Sequence, residues 1–326
     1  MATKDDVLDY LRKNSEVSLS GEEIAKNLGV SRAAVWKAIK SLRDDGYSIT
    51  AATNRGYMLL GDNDFLSAGQ ITSMLNGKAK EYRVTVFDRI DSTNLYLKGE
   101  AAKGAKDGTV AIAASQSKGR GRLGRRFISD KGGLYMSLLI RPDMSAEKSL
   151  FITTAAAVAV CRAIEKESSL TAGIKWVNDI FINGKKVCGI LTEGASDFES
   201  GRLEYAVVGI GINVEEPKGS FDSEIAGIAV SLYGKHSPDN AKNRLAAAVL
   251  NELAKVLSEP DNKNTADEYR RRSVVIGKRV NINSENGIIS ATVEDIDDDA
   301  AIILKTDDGK LLRKTSGEIS IRSNMI

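Results

Sequence analysis

The chain has 326 residues, which is enough for two or three domains. Its composition, 42% hydrophobic and 28% charged, is that of an ordinary globular protein. A formal net charge of +2 excludes a protein that binds polyanions through its overall charge, so any affinity for nucleic acid must come from a local basic patch. The first nine residues are polar and acidic and the longest apolar run, 155–161, is too short for a bilayer; the sequence therefore predicts a cytoplasmic protein without a signal peptide or a membrane partner.

Residues 1–62 predict a domain built of short helices and a small hairpin. Ser20 has capping-box spacing and begins a helix through Leu28, Gly29 makes a turn, and Ser31 caps a second helix. Helix, short turn and helix is the layout of a DNA-reading helix-turn-helix. The runs 47–50 and 57–60 predict two strands, which add a wing whose connection carries Arg55.

The charge of this region supports the same interpretation. Residues 30–60 carry five basic residues against two acidic ones, whereas residues 1–29 carry four against six. The alternative is a generic helical domain with a solvated basic edge, but caps, turn, wing and charge agree on DNA binding. The predicted DNA-binding residues are Ser31, Arg32, Ala33, Trp36, Lys37, Lys40 and Arg55.

Residues 63–270 alternate strands and helices, which predicts an α+β or mixed α/β domain. The predicted strands are 84–87, 110–114, 134–140, 187–193 and 205–208, and apolar stripes predict helices at 150–166 and 241–257. Residues 271–326 hold only strands and turns, with predicted strands at 280–282, 288–293, 301–305 and 311–315. Asp307-Asp308-Gly309 is a hairpin signal, so we expect a small barrel of about five strands here.

A basic loop at Lys118–Arg126 is the strongest local signal for a ligand. It holds five basic residues, three glycines and no acid in nine positions. Glycine allows tight turns and arginine grips phosphate or carboxylate with a two-pronged fork, so the loop is expected to close over an anion. A disordered RNA-binding tail is disfavoured because strand-like runs flank the loop. A P-loop is excluded because Arg125 and Arg126 stand where Lys and Ser/Thr are needed.

The remaining candidate residues limit the available chemistry. A single histidine, His236, argues against a Ser/His/Asp triad, and two scattered cysteines, Cys161 and Cys188, argue against a zinc site and are expected in the core. Gly209-Ile210-Gly211 lacks the third glycine of a dinucleotide fingerprint; these glycines are expected to let a strand end pass close to ligand. Chemistry must then rely on Lys, Arg, Asp and Asn, which favours positioning and charge stabilisation.

Taken together, these motifs resemble a known family along essentially the whole chain, in its order and spacing. The residues that carry the resemblance are Asp91-Ser92-Thr93-Asn94, Gln116, GRGRLGR (119–125), KWVND (175–179), Lys186 with Cys188-Gly189-Ile190-Leu191, GIGINV (209–214) and GEISIR (317–322), together with Ser31–Val35. The chain is similar to bifunctional biotin–protein ligases that also repress the biotin operon. Val177 departs from the family, which usually has proline there; we expect little consequence, because no functional group is lost.

The resemblance implies a fold and an activity. The fold is multidomain α+β: an N-terminal winged helix-turn-helix (1–62), a central mixed α/β ligase domain of the class II synthetase type (63–270) and a small C-terminal SH3-like barrel (271–326). The activity is the ATP-dependent conversion of biotin to biotinyl-5′-AMP, with Mg²⁺ accompanying ATP, and transfer of biotin to a lysine of a biotin carboxyl carrier protein. The implied partners are this carrier, operator DNA and a second copy of the chain when biotinyl-AMP is bound.

The resemblance also implies roles for individual residues. Lys186 and Arg122 are expected to be catalytic. The expected biotin-binding residues are Ser92, Thr93, Asn94, Gln116, Gly119, Arg120, Gly121, Arg122, Lys186 and Gly189. The expected nucleotide-binding residues are Arg122, Arg125, Lys175, Asn178, Asp179, Asn213 and Arg322. Asp179 is the candidate magnesium ligand, with a purely structural carboxylate as the alternative.

Three points stay open at the level of sequence. Trp176 is either a core residue or packs beside adenine. A ligand-sensing repressor without catalysis is disfavoured by the intact Lys186 and loop arginines. A lipoate ligase of the same fold is disfavoured by the GRGRLGR motif and by the N-terminal helix-turn-helix.

Overall fold

A computed structural model describes residues 4–14, 17–44, 49–52, 56–59, 65–217, 220–258, 263–284 and 287–321. Their contacts divide the chain into two compact units, Met1–Ser67 and Ala68–Ile326. Within the described residues, no helix combines the length and the apolar character that a membrane span requires.

The N-terminal unit is a helix-turn-helix with a two-stranded wing. Its elements are α1 (Lys4–Lys13), α2 (Gly21–Leu28), α3 (Arg32–Asp44), β1 (Ile49–Ala52) and β2 (Gly56–Leu59). As predicted, the Ser20 hydroxyl accepts a hydrogen bond from the Glu23 N–H at 3.0 Å and Gly29 ends α2 at a φ of +67°. The strand β1 extends to Ala52, two residues beyond its predicted end, and pairs antiparallel with β2.

One apolar core holds this unit together. The predicted stripe of α3, Val35, Ile39 and Leu42, is at most 2% exposed. It packs in one cluster with residues of α1, α2 and both wing strands. The amphipathic pattern of the helices thus leaves the opposite face of α3 exposed.

The second unit contains a seven-stranded mixed sheet with helices on it. Its elements before the C-terminal region are α4 (Ala68–Ser73), β3 (Arg83–Phe87), α5 (Thr93–Ala102), β4 (Thr109–Ala113), β5 (Gly133–Ile140), α6 (Leu150–Ser168), β6 (Gly173–Lys175), β7 (Asp179–Ile182), β8 (Lys185–Ser196), β9 (Leu203–Asn213), α7 (Ala241–Val256) and α8 (Lys263–Arg271). The strand order is β3-β4-β5-β9-β8-β7-β6, and only β3 and β4 are parallel, with α5 between them in the chain. The predicted strands and both predicted helices are confirmed.

The C-terminal region forms a second sheet. Its strands are β10 (Arg279–Ser284), β11 (Gly287–Ile296), β12 (Ile302–Thr306), β13 (Leu311–Lys314) and β14 (Glu318–Ile321). All pairs are antiparallel, in the order β13-β12-β11-β10-β14. The predicted fold class is therefore confirmed, with five C-terminal strands as expected. The contacts place this sheet in the same compact unit as the central one, and a domain boundary near residue 270 stays a prediction.

Candidate active site

The structure gathers most of the predicted site residues around one cavity of the second unit. The predicted residues that line it are Ser92, Thr93, Asn94, Gln116, Arg120, Gly121, Arg122, Arg125, Lys175, Asn178, Asp179, Lys186 and Gly189. They come from four separate stretches of the chain, which the central sheet brings together. Gly119 and Asn213 are not among the lining residues, and Arg322 lies outside the described residues.

The cavity is strongly basic. Its described lining includes one carboxylate, Asp179, and six cationic side chains: Arg120, Arg122, Arg125, Arg126, Lys175 and Lys186. Like charges crowded into one concave site repel one another and raise the local positive potential. The cavity is therefore suited to a ligand with several negative charges.

The basic loop is folded as a tight hairpin at the cavity. The Gly121 N–H donates to the Arg125 carbonyl at 2.8 Å, and the Phe127 N–H donates to the Gly119 carbonyl at 3.0 Å. At the tip, Leu123 and Gly124 adopt left-handed φ angles of 56° and 72°. This turn directs the arginines on both arms towards the cavity.

Arg122 connects the basic loop to two other parts of the site. Its guanidinium donates to Asn178 Oδ1 and to the Gly317 carbonyl, both at 3.2 Å. The first contact reaches the segment 175–179, and the second reaches the turn before β14. Arg122 thus joins three segments that are far apart in sequence.

Lys186 and Asp179 form an ion pair inside the cavity. The Lys186 Nζ lies 2.7 Å from Asp179 Oδ1 and 5.8 Å from the centre of the Phe127 ring. The Lys186 backbone is held by the neighbouring segment 228–230, whose Ile228 carbonyl accepts its N–H at 2.7 Å. The ammonium is therefore fixed in place, with a carboxylate partner that an anionic ligand would have to replace or join.

The segment 175–179 is anchored from outside the cavity. The Trp176 indole N–H donates to the Ala300 carbonyl at 2.9 Å, and the buried Tyr269 hydroxyl donates to the Val177 carbonyl at 3.0 Å. The Trp176–Val177 peptide bond is cis. Trp176 is 3% exposed and also lines the cavity, so it is a core residue that forms part of the wall.

A hydrogen-bonded network surrounds the first residues of α5. The Ser92 hydroxyl caps α5 by accepting the Leu95 N–H at 3.4 Å. Gln116 Oε1 accepts the Thr93 N–H at 2.8 Å, which fixes the orientation of this amide in the cavity. Thr93 and Asn94 are 3% and 5% exposed, so their polar groups are desolvated and need these partners.

The glycines of β9 line the cavity, but they do not lie at a strand end as predicted. The strand continues to Asn213, so Gly209 and Gly211 lie in its interior and not at a strand end. A Cβ at Gly209 would collide with Asn94, and one at Gly211 would lie 2.5 Å from the Phe127 ring. These glycines make room for two side chains of the site. Asn213 instead donates its amide to the Val230 carbonyl at 3.2 Å.

Phe127 is a lining residue that the sequence did not reveal. Its ring lies over Gly189 and Gly211, which pair with each other across β8 and β9. A Cβ at Gly189 would lie 2.9 Å from this ring. An aromatic residue directly after an arginine-rich loop was the available signal. The other lining residues that were not predicted as site residues are Leu123, Arg126, Ile190, Leu191, Gly209, Ile210 and Gly211 of the central sheet and loop, and Ile319 of β14; Trp176 was left open.

The described residues offer little for a metal ion held by protein alone. They contain no group of three or more His, Cys, Asp or Glu side chains that could hold one. Asp179 fits a magnesium ion only if phosphates supply further ligands, because Mg²⁺ commonly binds one or two carboxylates together with substrate phosphates. Both cysteines are buried, and burial raises the pKa of Cys161 to about 12 and that of Cys188 well above its ordinary value, so both thiols stay protonated at neutral pH.

The N-terminal unit carries a second candidate site on α3. The predicted residues at its N-cap and along its outer face are exposed: Ser31, Arg32, Ala33, Trp36, Lys37 and Lys40. Trp36 is 58% exposed, and the Lys40 Nζ lies 5.7 Å from its ring centre. Arg43 instead donates to the Ile49 carbonyl at 2.9 Å and joins α3 to the wing. Arg55 lies outside the described residues.

Comparison with known proteins gives matches along most of the chain. Residues 86–213 match the Biotin/lipoate A/B protein ligase family, residues 3–58 match an HTH domain, and residues 275–322 match the Biotin protein ligase C terminal domain. The chain is 32% identical to the bifunctional ligase/repressor BirA of Bacillus spizizenii, with 93% of this chain and 94% of that protein covered. It is 30% identical to BirA of Escherichia coli, with 93% of each covered.

A solved structure agrees with these matches. The biotin protein ligase from Aquifex aeolicus, in complex with biotin and ATP, aligns with a TM-score of 0.62 and 28% identity. The alignment covers 74% of this chain and 98% of that protein.

Proposed function

Because this chain belongs to the family of bifunctional biotin ligase/repressors, we propose that it activates biotin with ATP, transfers it to a carrier protein and represses transcription. The observation that supports the ligase function is the basic cavity. Its six cationic side chains and one carboxylate lie beside the polar residues Ser92, Thr93, Asn94 and Gln116, called the pocket on α5 below. The exposed basic face of α3 supports the repressor function.

In the first step, a biotin carboxylate oxygen attacks the α-phosphorus of ATP. A phosphorus–oxygen bond forms, and the bond to pyrophosphate breaks. The attacking group and the phosphates are all negative, so the step requires cations that offset their repulsion and align them. Lys186 and Arg122 are the proposed catalytic pair, supported by Arg120 and Arg125.

The two ligands divide the cavity between them. We assign the ring of biotin to Ser92, Thr93, Asn94 and Gln116, whose amide and hydroxyl groups can satisfy a buried urea. Gly121 and Gly189 let the backbone approach this ligand. Triphosphate is assigned to Arg125, Lys175, Asn178 and Asp179. Magnesium would enter with ATP as part of the substrate, with Asp179 as its protein ligand.

In the second step, a lysine amine of the biotin carboxyl carrier protein attacks the acyl carbon of biotinyl-5′-AMP. An amide bond forms, AMP leaves and the amine loses a proton. The mixed anhydride is reactive, so the basic loop must shield it from water until the carrier arrives.

The ligase function is tested by exchange of labelled pyrophosphate into ATP, with biotin, lipoate or no acid present. We expect exchange when biotin is the acid, and none with lipoate or without an acid. Exchange that depends on lipoate instead would identify a lipoate ligase. No exchange with either acid, combined with operator binding that responds to biotin, would identify a repressor without catalysis.

The two units are expected to work separately. A protein that begins at Phe65 should still biotinylate a carrier domain, because the cavity is built entirely from residues of the second unit. It should lose specific operator binding, because α3 and the wing are removed. Carrier labelling and an electrophoretic shift assay measure the two activities. Specific DNA binding by the shortened protein would show that the assignment of α3 is wrong.

Operator binding is expected to depend on the adenylate. One winged helix covers a short half-site, so tight binding requires two copies on a two-fold symmetric operator. A ligand can promote dimers only if it binds them more tightly than monomers, and coupling of this kind is typically about 5–150-fold. Operator affinity should be measured without ligand, with biotin, and with biotin plus ATP, at one salt concentration because phosphate contacts are salt-dependent. Equal affinities would leave a constitutive DNA binder.

A further inference from the structure

Ser137 lies outside the cavity but connects two residues that line it. It is on β5 and is completely buried. Its Oγ lies 2.7 Å from Asn94 Oδ1 and 2.7 Å from Thr93 Oγ1. A serine hydroxyl has only one proton, so it can donate to only one of these two oxygens.

The Asn94 side chain determines where that proton goes. Its Nδ2 donates to Glu193 Oε2 at 2.9 Å and to the Leu191 carbonyl at 3.2 Å, and both partners can only accept. The amide oxygen of Asn94 must therefore face Ser137. Because an amide oxygen cannot donate, the Ser137 hydroxyl donates to Asn94.

Glu193 is held as a carboxylate in this arrangement. Burial by itself raises the pKa of Glu193, but hydrogen bonds from Asn94 and Lys98, together with the charge of Lys98, hold the pKa below its usual range. The Lys98 Nζ lies 2.9 Å from Glu193 Oε1. At neutral pH this end of the network therefore only accepts hydrogen bonds.

The other end of the network fixes Gln116. Its Nε2 donates to the Ser129 hydroxyl at 3.0 Å, and that hydroxyl donates to the Phe127 carbonyl at 2.9 Å. Gln116 Oε1 therefore faces Thr93 and accepts the Thr93 N–H. Gln116 Oε1 also lies 3.1 Å from Thr93 Oγ1. Towards the Thr93 hydroxyl, Gln116 Oε1 and Ser137 Oγ can therefore act only as hydrogen-bond acceptors.

The Thr93 proton is thus retained inside the protein, by Ser137 or by Gln116. Only lone pairs of Thr93 Oγ1 remain for a ligand. We propose that Ser137 is a positioning residue that sets biotin specificity, by making Thr93 a hydrogen-bond acceptor for one N–H of the ligand's cyclic urea. This inference rests on the proposed assignment of the biotin ring to the pocket on α5.

The pocket is therefore expected to bind biotin in preference to ligands whose ring lacks the N–H that pairs with Thr93. A site built to pair with an N–H group rejects an analogue without it, because its own buried group is left unpaired. If the Ser137 hydroxyl is removed, the Thr93 hydroxyl keeps only the more distant Gln116 Oε1, at 3.1 Å, as an acceptor within the protein. Its proton is then held less strongly and can turn towards the ligand to pair with a ring oxygen.

The test compares biotin with two cyclic carbamate analogues, each with an oxygen in place of one urea N–H. Dissociation constants are measured by calorimetry for the wild type and for Ser137→Ala. The wild type should reject one carbamate by about 100-fold or more relative to biotin. Ser137→Ala should reduce that ratio about tenfold, leave the ratio for the other carbamate unchanged and leave the KM for ATP unchanged. Thr153→Val is the matched control. It also removes a buried hydroxyl, which lies 2.8 Å from the hydroxyl of Thr192.

Unchanged discrimination in Ser137→Ala would overturn the proposal, as would an equal change in Thr153→Val. If Ser137→Ala does not fold, Ser137→Cys should change the carbamate ratio in the same direction, because a thiol is only a weak hydrogen-bond donor and acceptor. Thr153→Val is again the control. No change in Ser137→Cys would equally overturn the proposal. A wild type that binds neither biotin nor the carbamates would instead contradict the proposed function.

Discussion

Replacing Lys186 by leucine is expected to lower biotin-dependent pyrophosphate exchange by about a thousandfold. Two unit charges about 4 Å apart interact by about 4 kcal/mol at an effective dielectric constant of about 20. A loss of about 4 kcal/mol from the transition state corresponds to about a thousandfold in rate. Lys186 is the cation for which this loss is expected, because its ammonium is held in the cavity between Asp179 and the Phe127 ring. Exchange is measured with saturating ATP over a range of biotin concentrations.

The neighbouring residue supplies the control. Lys185→Leu removes the same charge one position earlier on β8, from a side chain that does not line the cavity. It should keep exchange within about tenfold of the wild type, roughly 1.4 kcal/mol. Circular dichroism and the melting temperature establish that both variants are folded. If Lys186→Leu also stays within this range, Lys186 is not the catalytic cation.

The sequence predicted elements that carry a strong pattern. The apolar stripes of α6 and α7 and the runs of β4, β5 and β8 are continuous in sequence, so their periodicity identifies them. The strands β6 and β7 are only three and four residues long, and the KWVND motif forms the turn between them, with Lys175 ending β6 and Asp179 beginning β7. Strands of this length are stabilised by pairing in the sheet, which a local pattern does not contain.

The same limit applies to the site. The motifs identified most of the charged lining residues, because those residues are concentrated in short segments. Ser137 and Glu193 were missed because nothing local distinguishes them from other strand residues. Their positions follow from strand register. Ser137 pairs with Gly209 across β5 and β9, and Gly209 pairs with Leu191 across β9 and β8. Glu193 is two residues beyond Leu191 on β8 and therefore on the same face of the sheet. Asn94 lies over this row because Gly209 has no side chain.

Register also explains the second glycine of β9. Gly211 pairs with Gly189 of β8, and Gly189 pairs with Asp179 of β7. The Phe127 ring lies over the two glycines, and the Lys186 ammonium lies over that ring. The two glycines therefore make room for an aromatic ring beside the Lys186 ammonium, which the glycine motif in the sequence did not predict.

Replacing Arg122 by glycine is expected to release bound biotinyl-5′-AMP about a hundred times faster. The Arg122 guanidinium connects the basic loop to Asn178 and to Gly317, so its loss frees the loop from both. Hydrogen bonds of charged groups contribute about 1.5–3 kcal/mol each, and the two together account for at least a hundredfold change. The residues assigned to the biotin ring lie on α5 and at Gln116, outside the loop, so the KM for biotin should change much less than adenylate retention.

The outcome is visible in two measurements. Dissociation of preformed adenylate is followed after dilution, and labelling of lysines on a bystander protein reports the adenylate that escapes. Lys118→Gly is the control, since it removes another cation of the basic loop whose side chain pairs with Asp91 and does not line the cavity. A loop that only binds biotin would raise the KM for biotin in Arg122→Gly and leave the adenylate dissociation rate unchanged. A loop that closes over the intermediate, as proposed, requires faster adenylate dissociation and a nearly unchanged KM for biotin. The reason is that its arginines contact the phosphate and acyl groups after the biotin ring is already bound.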